Sequence, residues 1–290
     1  MKVFQLTRNW LKKKSFIFFL TGLLFPMVFA FISLESFVSY KIKNPQISIP
    51  SGEFCKSYGL VGHWKFDEIN ENKTKDYSIH GNDGFLKTFL HPKLYLVYGY
   101  PELTDGKIGK AFEFRGKQWV SAGNKKCYII DKFTISAWIW QEKDENVLVP
   151  TIIAKSSWPR YDGWWLCTTT KGAAGQKRDR DLDLAVSSGC EFQHIKSGYQ
   201  LPLREWHHVA VSMDNTTHKA QFYIDGKPYG DEHTDVLTWN LNWNHDLFIG
   251  SYDGSGRWPW YGKIDDLRFY NKVLTAEEIK KIYNFVGIIS

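Results

Sequence analysis

The sequence predicts an all-β fold, a two-sheet antiparallel sandwich of jelly-roll type with an N-terminal transmembrane or signal helix and a short C-terminal helix. Short strand patterns recur along the chain with turn residues between them, which is typical of sandwiches and barrels. Aromatic residues make up 17% of the chain, and they suit the half-buried surface of a pleated sheet. Near the end, residues 262–270 have a strand pattern, and Thr275 followed by Glu278 is the capping box that begins a helix.

The N-terminal helix is predicted from an uncharged apolar run between Ser15 and Leu34, which follows three consecutive lysines at 12–14. About 20 apolar residues can span a bilayer, and the preceding basic residues hold that end in the cytoplasm. Residues 28–30 (VFA) also fit a signal-peptide cleavage site, whereas the apolar run that continues to Val38 favours a retained anchor. Both alternatives place residues 41–290 outside the cytoplasm.

The expected organisation of the chain has four segments. They are a cytoplasmic basic segment (1–14), a transmembrane anchor or signal peptide (15–38), a linker (39–57) and the sandwich domain (58–290). Most of the net charge of +6 lies in residues 1–40, where five Lys or Arg accompany a single Glu. The sandwich domain therefore has nearly balanced charge, and nothing in its composition indicates a nucleic-acid partner.

Four cysteines occur in the exported part, and an even count in this compartment indicates two disulfides. Cys167 and Cys190 flank two adjacent predicted strands, which favours a Cys167–Cys190 disulfide. Cys55 and Cys127 would then join the N-terminal lead-in to the sandwich. Four cysteines allow three connectivities, so the pairing stays open. The absence of C-x-x-C spacing disfavours a metal site made of these residues.

The strands of the sandwich are predicted from apolar alternation and β-branched or aromatic residues. In chain order the predicted strands cover residues 60–67, 110–115, 118–122, 133–141, 150–155, 163–169, 182–187, 206–213, 220–224, 247–250 and 263–270. In the fourth of these, Phe133, Ile135, Ala137 and Ile139 share one face. Between the strands, residues 157–163, 171–180, 191–199 and 238–245 are expected to be long polar or aromatic loops, where sandwiches usually carry function.

Seven short motifs, taken together, resemble the laminin-G-like jelly rolls of the concanavalin A-like lectin and glucanase family. In chain order they are GLVGHWKFDE (59–68), DYSIHGNDG (76–84), GKAFEFRG (109–116), FTISAW (133–138), WHHVAV (206–211), FYIDGK (222–227) and the closing strand and helix (262–283). The resemblance covers about residues 59–284. It implies an exported binding module, although a fold does not by itself determine a function.

The resemblance also implies one structural Ca²⁺ ion near the opening and closing strands. The implied ligands are Asp67 (or Glu68), Asp76, Asn82 with Asp83, and Asp265, because Ca²⁺ takes six to eight oxygen ligands. The alternative is that Asp76, Asn82 and Asp83 cap a tight turn, and that Asp265 or Asp266 pairs with Arg268 or a nearby lysine.

Aromatic residues in three predicted loops indicate a carbohydrate-binding surface, since flat rings stack on the C–H faces of sugars. The candidate contacts are Trp158, Arg160 and Tyr161, Trp239 and Trp243, and Trp258 and Trp260. The alternative is that several of these side chains pack over the edges of the sandwich.

An enzyme is the less favoured prediction. Asp179, Asp181 and Asp183 would share one strand face, as paired carboxylates do in sandwich glycoside hydrolases. The longer glutamates of those enzymes are absent, and the alternating Leu182, Leu184 and Val186 already account for the pattern by burial. No catalytic residue is therefore assigned.

The expected function is that of an extracytoplasmic lectin-like module, secreted or anchored through its N-terminal helix, that binds a glycan or a glycosylated surface. A structural or adhesive module that contacts other surface proteins is the alternative, and a glycoside-processing enzyme is a third.

Overall fold

A computed structural model describes residues 59–90, 99–143, 149–157, 162–169, 180–188, 191–238 and 244–285. The chain divides into two compact units, residues 1–49 and residues 50–290, and every described residue belongs to the second unit. The predicted membrane or signal segment (15–38) and linker (39–57) lie outside the described residues. Within the described ranges, no helix is both long and apolar enough to cross a membrane.

The described residues form sixteen strands and one α-helix. In chain order they are β1 (Leu60–Trp64), β2 (Lys73–Thr74), β3 (Gly84–Thr88), β4 (Glu102–Asp105), β5 (Lys110–Arg115), β6 (Gln118–Gly123), β7 (Lys132–Gln141), β8 (Thr151–Ser157), β9 (Asp162–Thr169), β10 (Asp181–Ser187), β11 (Phe192–Gln200), β12 (Trp206–Asp214), β13 (Lys219–Ile224), β14 (Lys227–His233), β15 (Leu247–Ile249), β16 (Tyr261–Tyr270) and α1 (Ala276–Asn284).

The strands form two antiparallel sheets of eight strands each, as predicted for a jelly-roll sandwich. The first sheet has the order β14-β13-β12-β7-β16-β5-β4, and β1 also pairs with β16. The second sheet has the order β11-β10-β9-β8-β15-β6-β3-β2. The last strand of the chain therefore lies at the centre of the first sheet, between strands that are far from it in sequence.

The main hydrophobic core lies between the sheets because alternate residues of each strand point to one face. Phe133, Ile135, Ala137 and Ile139 all belong to this core, which confirms the predicted face of β7. Trp164 of the second sheet packs against Phe133 and Phe269 of the first sheet, with ring centroids 4.8 and 5.4 Å apart. All members of the core come from residues 61–269, so residues 50–290 contain a complete core of their own.

Helix α1 covers part of the outer face of the first sheet. Thr275 and Glu278 form the predicted capping box at its start. Leu274 and Ile279 pack against Ala210 and Tyr223 of the sheet in a second hydrophobic cluster. The helix therefore closes one outer face of the sandwich.

Five strands of the structure were not predicted from the sequence: β2, β3, β4, β11 and β14. In β14, six of seven residues are exposed, so apolar alternation is absent. Residues 191–199 were predicted to be a loop, and this prediction is wrong, since residues 192–200 form β11. Ile195 is the only residue of β11 that is buried in the main core, and Tyr199 packs against that core while partly exposed, which explains the weak pattern.

The structure corrects one cysteine prediction. Cys167 carries a free, buried thiol that contacts the Asp183 carbonyl oxygen at 3.6 Å, so the predicted Cys167–Cys190 disulfide is wrong for this residue. Cys167 lies opposite Asp183 in the strand register. Asp183 is four residues before Ser187, where β10 ends, and Cys190 follows Ser187 by three residues in the sequence. Cys55 and Cys190 lie outside the described residues, and a Cys55–Cys127 disulfide stays a prediction.

His208 makes stability depend on pH. Its ring is buried between Trp138 and Tyr283 and neither ring nitrogen has a hydrogen-bond partner in the described structure. Burial lowers its pKa from 6.5 to about 4, although Asp266 and Asp225 oppose this effect and Arg268 adds to it. Between pH 6.5 and about 4, His208 is therefore protonated in the unfolded state and neutral in the folded state.

We predict that the free energy of unfolding falls by roughly 3 kcal/mol as the pH drops from 6.5 to about 4 through His208 alone. His208→Phe should remove this part of the acid sensitivity, as measured by urea unfolding at both pH values. His233→Phe, on edge strand β14, is the control and should retain it. An unchanged acid sensitivity in His208→Phe would contradict the prediction.

Candidate functional site on the outer face of the second sheet

One cross-strand row runs across the outer face of the whole second sheet. Its members face away from the main core and are paired in register from strand to strand. From β11 to β2 they are His194, Ala185, Trp165, Ala154, Phe248, Ser121, Phe85 and Lys73. Ring-bearing and small residues alternate over most of this row. The small residues leave space beside the rings, and Tyr252 and Trp258 pack into the space beside Trp165.

The segment 251–258 folds back over the middle of this row. Tyr252 packs edge-on against Trp165 at 5.2 Å, and Trp258 packs on Tyr252 at 4.5 Å. The segment is held by hydrogen bonds from Thr151 N–H to the Trp258 carbonyl and between the Tyr252 hydroxyl and Ser156 Oγ. Trp258 has a positive φ of 47°, an uncommon conformation for a bulky residue.

Asp183 and His194 form a buried pair beside these rings. Asp183 is fully buried, and its Oδ2 lies 2.8 Å from His194 Nδ1. Its second oxygen, Oδ1, and the indole Nε1 of Trp165 are buried without a hydrogen-bond partner among the described residues. Such groups usually have a partner. Burial raises the pKa of Asp183 against the opposing effect of His194. The site therefore offers one unused acceptor and one unused donor.

The rings of the site form a continuous series that reaches solvent at both ends. His194 lies 6.1 Å from Trp165 and 5.7 Å from Phe192, measured between ring centroids. The side chain of His194 is 30% exposed and Phe192 is 60% exposed. Trp258 is partly exposed at the opposite end. Trp165 and Tyr252 are buried between them and form the base of the series.

Asp181 has a different role from Asp183, although both lie on β10. Its Oδ1 accepts hydrogen bonds from Gly198 N–H at 2.8 Å and from Ser197 Oγ at 3.2 Å. These bonds lie at the irregularity where β10 and β11 shift register between Asp181 and Asp183. Asp181 thus supports the backbone of β11. Asp179, the third candidate carboxylate, lies outside the described residues.

The aromatic residues predicted to bind sugar fall into three groups. Trp260 has no exposed surface and belongs to the main core, so its prediction as a ligand contact is wrong. Trp258, two residues earlier, lies on the outer face as described above. The other predicted contacts lie outside the described residues: Trp158, Arg160, Tyr161, Trp239 and Trp243.

Residues that flank the undescribed segments 158–161 and 239–243 are hydrogen-bonded to each other. Lys155 near the end of β8 donates from Nζ to the His245 carbonyl at 2.7 Å and to Asn124 Oδ1 at 3.0 Å. Asn124 in turn donates to Asn244 Oδ1 at 2.8 Å. Burial lowers the pKa of the Lys155 amine to about 8. These bonds therefore link the end of β8 to the described residues that precede β15.

Four of the predicted calcium ligands, Asp67, Asp265, Asp76 and Asn82, separate into two pairs. Asp67 Oδ1 accepts from Lys110 N–H and Asp265 Oδ2 accepts from Ile108 N–H, both at 2.8 Å, so these two carboxylates face the same turn. Asp265 Oδ1 is buried and lacks a hydrogen-bond partner in the described structure. Burial raises the pKa of Asp265 to about 8, with further contributions from Asp266 and Asp67.

The second pair, Asp76 and Asn82, has the turn-capping role that was the alternative prediction. The Asp76 carboxylate accepts hydrogen bonds from the backbone N–H groups of His63, Ser78 and Asn82. Asn82 donates from its side chain to the Val61 carbonyl. Both carboxylate oxygens of Asp76 are therefore already occupied. The described residues contain no group of three or more His, Cys, Asp or Glu that could hold a metal.

The two packed antiparallel sheets define a sandwich of jelly-roll type. A family model described as the concanavalin A-like lectin/glucanases superfamily (Laminin_G_3) matches residues 114–280, which is more than half of the chain. The chain therefore belongs to this superfamily, and the resemblance in the sequence is confirmed. No curated protein matches the sequence.

Solved structures with the same fold include carbohydrate-binding proteins. Domain 4 of AbnA, a GH43 extracellular arabinanase from Geobacillus stearothermophilus in complex with arabinotriose, is 20% identical with a TM-score of 0.57, and the match covers 78% of this chain and 98% of that domain. The botulinum neurotoxin serotype G binding domain is 13% identical with a TM-score of 0.55, covering 77% of this chain and 50% of that one.

A structure of botulinum neurotoxin type C, described as dependent on two ganglioside molecules for cell entry, is 14% identical with a TM-score of 0.52 and covers 79% of this chain and 52% of that one. This chain thus spans about half the length of the two neurotoxin structures. Likeness at these identities establishes the fold and leaves the ligand of this chain to its own residues.

The environments of the two tryptophans predict different costs of truncation. Trp260→Ala should lower the free energy of unfolding by about 3–5 kcal/mol because it opens a cavity in the core. Trp258→Ala should cost about 1–2 kcal/mol, since part of its ring is in solvent. Urea unfolding of both variants tests this difference, and equal costs would contradict the assigned environments.

Proposed function

We propose that the outer face of the second sheet binds carbohydrate. The observation that carries the proposal is the pair of buried, unused polar atoms, Asp183 Oδ1 and Trp165 Nε1, beside partly exposed rings. A sugar presents hydroxyl groups that donate and accept hydrogen bonds and C–H faces that stack on rings. An acceptor, a donor and rings are therefore the groups that such a ligand requires.

In this proposal each residue has a defined role. Asp183 Oδ1 and Trp165 Nε1 are enclosed in the free protein, so the ligand would have to displace the side chains that cover them. Asp183 Oδ1 then accepts from a sugar hydroxyl, and His194, held through Nδ1 by Asp183, presents its other ring nitrogen to the ligand. Phe192 and Trp258 supply stacking surfaces at the two ends. The ligand of the AbnA domain, arabinotriose, supports the assignment to the extent that the fold accommodates an oligosaccharide. Secretion or anchoring through residues 15–38 would place this face outside the cytoplasm.

A glycan array with residues 50–290 would test the proposal, followed by calorimetry with the glycans that bind. Asp183→Asn should weaken binding by roughly 10- to 100-fold, because a hydrogen bond to a charged group is lost. Asp181→Asn is the matched control on the same strand and should bind normally. Equal affinity of the Asp183→Asn variant and the unmodified protein would contradict the assigned site.

An array without signal would favour the adhesive alternative, in which the module contacts proteins. Hydrolysis of a bound polysaccharide, detected as new reducing ends, would favour the enzymatic alternative. Melting temperatures of both aspartate variants should be measured first, so that loss of folding is not mistaken for loss of binding.

We also propose that Asp67 and Asp265 hold a structural Ca²⁺ ion. Asp265 Oδ1 has no other partner in the described structure, and both carboxylates face the turn that contains Gly106 and Gly109. A Cβ on either glycine would lie within 2.7 Å of one of these carboxylates, so the turn approaches them closely. Two carboxylates fit the ion, with backbone carbonyls and water supplying its remaining oxygens. Bound Ca²⁺ would join the closing strand to this turn.

Calcium should raise the melting temperature of protein treated with a chelator, because a ligand that binds only the folded state stabilises it. Asp265→Asn should abolish this rise, while Asp83→Asn, which conserves the oxygen that accepts from Asp76 N–H, should retain it. A melting temperature that is indifferent to both calcium and chelator would refute the ion site and leave the carbohydrate proposal intact.

A further inference from the structure

The opposite edge of the second sheet carries an exposed apolar and basic surface with no role in the carbohydrate proposal. We call it the Tyr77–Phe85 surface, and its members are Lys65, Lys73, Lys75, Tyr77, Ile79, Phe85 and Lys87. Tyr77, Ile79 and Phe85 are 38%, 55% and 46% exposed. Their neighbours Thr74, Asp76, Gly84 and Leu86 are buried, so alternation directs the named side chains outward.

The four lysines of this surface lie over its rings. Lys65 and Lys75 place Nζ 4.5 and 4.8 Å from the centroid of Tyr77. Lys73 and Lys87 lie 5.1 and 5.8 Å from the centroid of Phe85. These are cation–π contacts of exposed groups, which contribute little energy each.

None of these four lysines makes an ion pair with another described residue. Four lysines elsewhere on the domain do so, namely Lys110, Lys132, Lys219 and Lys272. The nearby Glu68 accepts hydrogen bonds from the Tyr77 hydroxyl and from Asn70, and the charge of Lys75 also lowers its pKa. Glu68 thus offsets part of the positive charge of the Tyr77–Phe85 surface, while none of its four lysines is held in an ion pair within the described domain.

We propose that the Tyr77–Phe85 surface docks on an anionic lipid bilayer. Exposed rings and aliphatic groups enter the boundary between headgroups and acyl chains, while lysines extend to anionic headgroups. Charge complementarity favours this occupant. The edge strand β2 has two residues, so it offers little backbone for a partner strand to extend the sheet.

The proposal is independent of the carbohydrate site, because the two surfaces lie at opposite edges of the second sheet. A lipid contact beside β2 and β3 therefore leaves the edge at β11 available for a glycan.

The test uses residues 50–290, which contain the complete core, and vesicles of phosphatidylcholine with or without phosphatidylglycerol. The protein should sediment with the mixed vesicles and remain in solution with the neutral ones, and added salt should release it. Phe85→Ala should weaken binding by about tenfold, because the variant lacks the ring that enters the bilayer. Phe192→Ala, an exposed ring on the opposite edge of the same sheet, is the matched control and should bind normally.

The contribution of charge is tested separately with Lys73→Gln combined with Lys87→Gln, against Lys227→Gln combined with Lys280→Gln as the control pair. The first pair should weaken vesicle binding and the second should not. Equal binding to both vesicle types, or equal loss in the Phe85→Ala and Phe192→Ala variants, would overturn the proposal.

Binding to soluble dextran sulfate that is as tight as vesicle binding and unaffected by Phe85→Ala would also overturn the lipid assignment. The Asp183→Asn variant should bind vesicles normally. The failure of this proposal and the failure of the carbohydrate proposal are therefore distinguishable.

Discussion

The first sheet depends on the last strand of the chain. β16 pairs with β7 on one side, while its other side is shared by two strands: residues 261–264 pair with β5 and residues 267–270 pair with β1. Asp265 and Asp266 lie where the partner changes, and Asp266 has a φ of 46°. The register with β7 also shifts there, as in a β-bulge. Because of this bulge, the carboxylates of Asp265 and Asp266 contact different partners.

Each carboxylate holds one of the two strands that share this side of β16. Asp265 accepts from the turn before β5, and Asp266 bonds to His63 of β1 at 2.6 Å and to Arg268 at 2.9 Å. Burial alone would raise the pKa of Asp266, but the hydrogen bond from His63 and the charge of Arg268 lower it. Asp266 is therefore satisfied, whereas Asp265 retains one unused oxygen. This difference is the reason for proposing a cation at Asp265 rather than at Asp266.

The sequence predicts the parts of this arrangement that depend on local pattern. The strands with a clear buried face, such as β7 and β12, were predicted within a few residues, and so was the cap of α1. β11 and β14 were not, because pairing with a neighbour, rather than burial of apolar side chains, determines their conformation. The two strands lie on the edges of their sheets.

The candidate site shows the same limit. Alternation placed Asp183 on the face opposite Leu182 and Leu184, but nothing local to Asp183 indicates that His194 on a neighbouring strand is its partner. His194, Trp165 and Tyr252 were not identified from the sequence. Trp258 and Trp260 are two residues apart in one segment, yet one is on the surface and the other is in the core. The long-range folding of residues 251–258 determines this difference, and composition carries no signal for it.

The two outer faces of the sandwich differ in what covers them, and this difference favours the second sheet for binding. On the first sheet, α1 covers residues such as His208, whose low pKa reflects the loss of solvent. On the second sheet, the segment 251–258 covers only the middle of the cross-strand row. Both ends of the row stay exposed, with the rings of His194 and Phe192 beside the buried Asp183 at one end and rings with lysines at the other. Because these ends lie on opposite edges of one rigid sheet, a ligand at one edge leaves the other accessible.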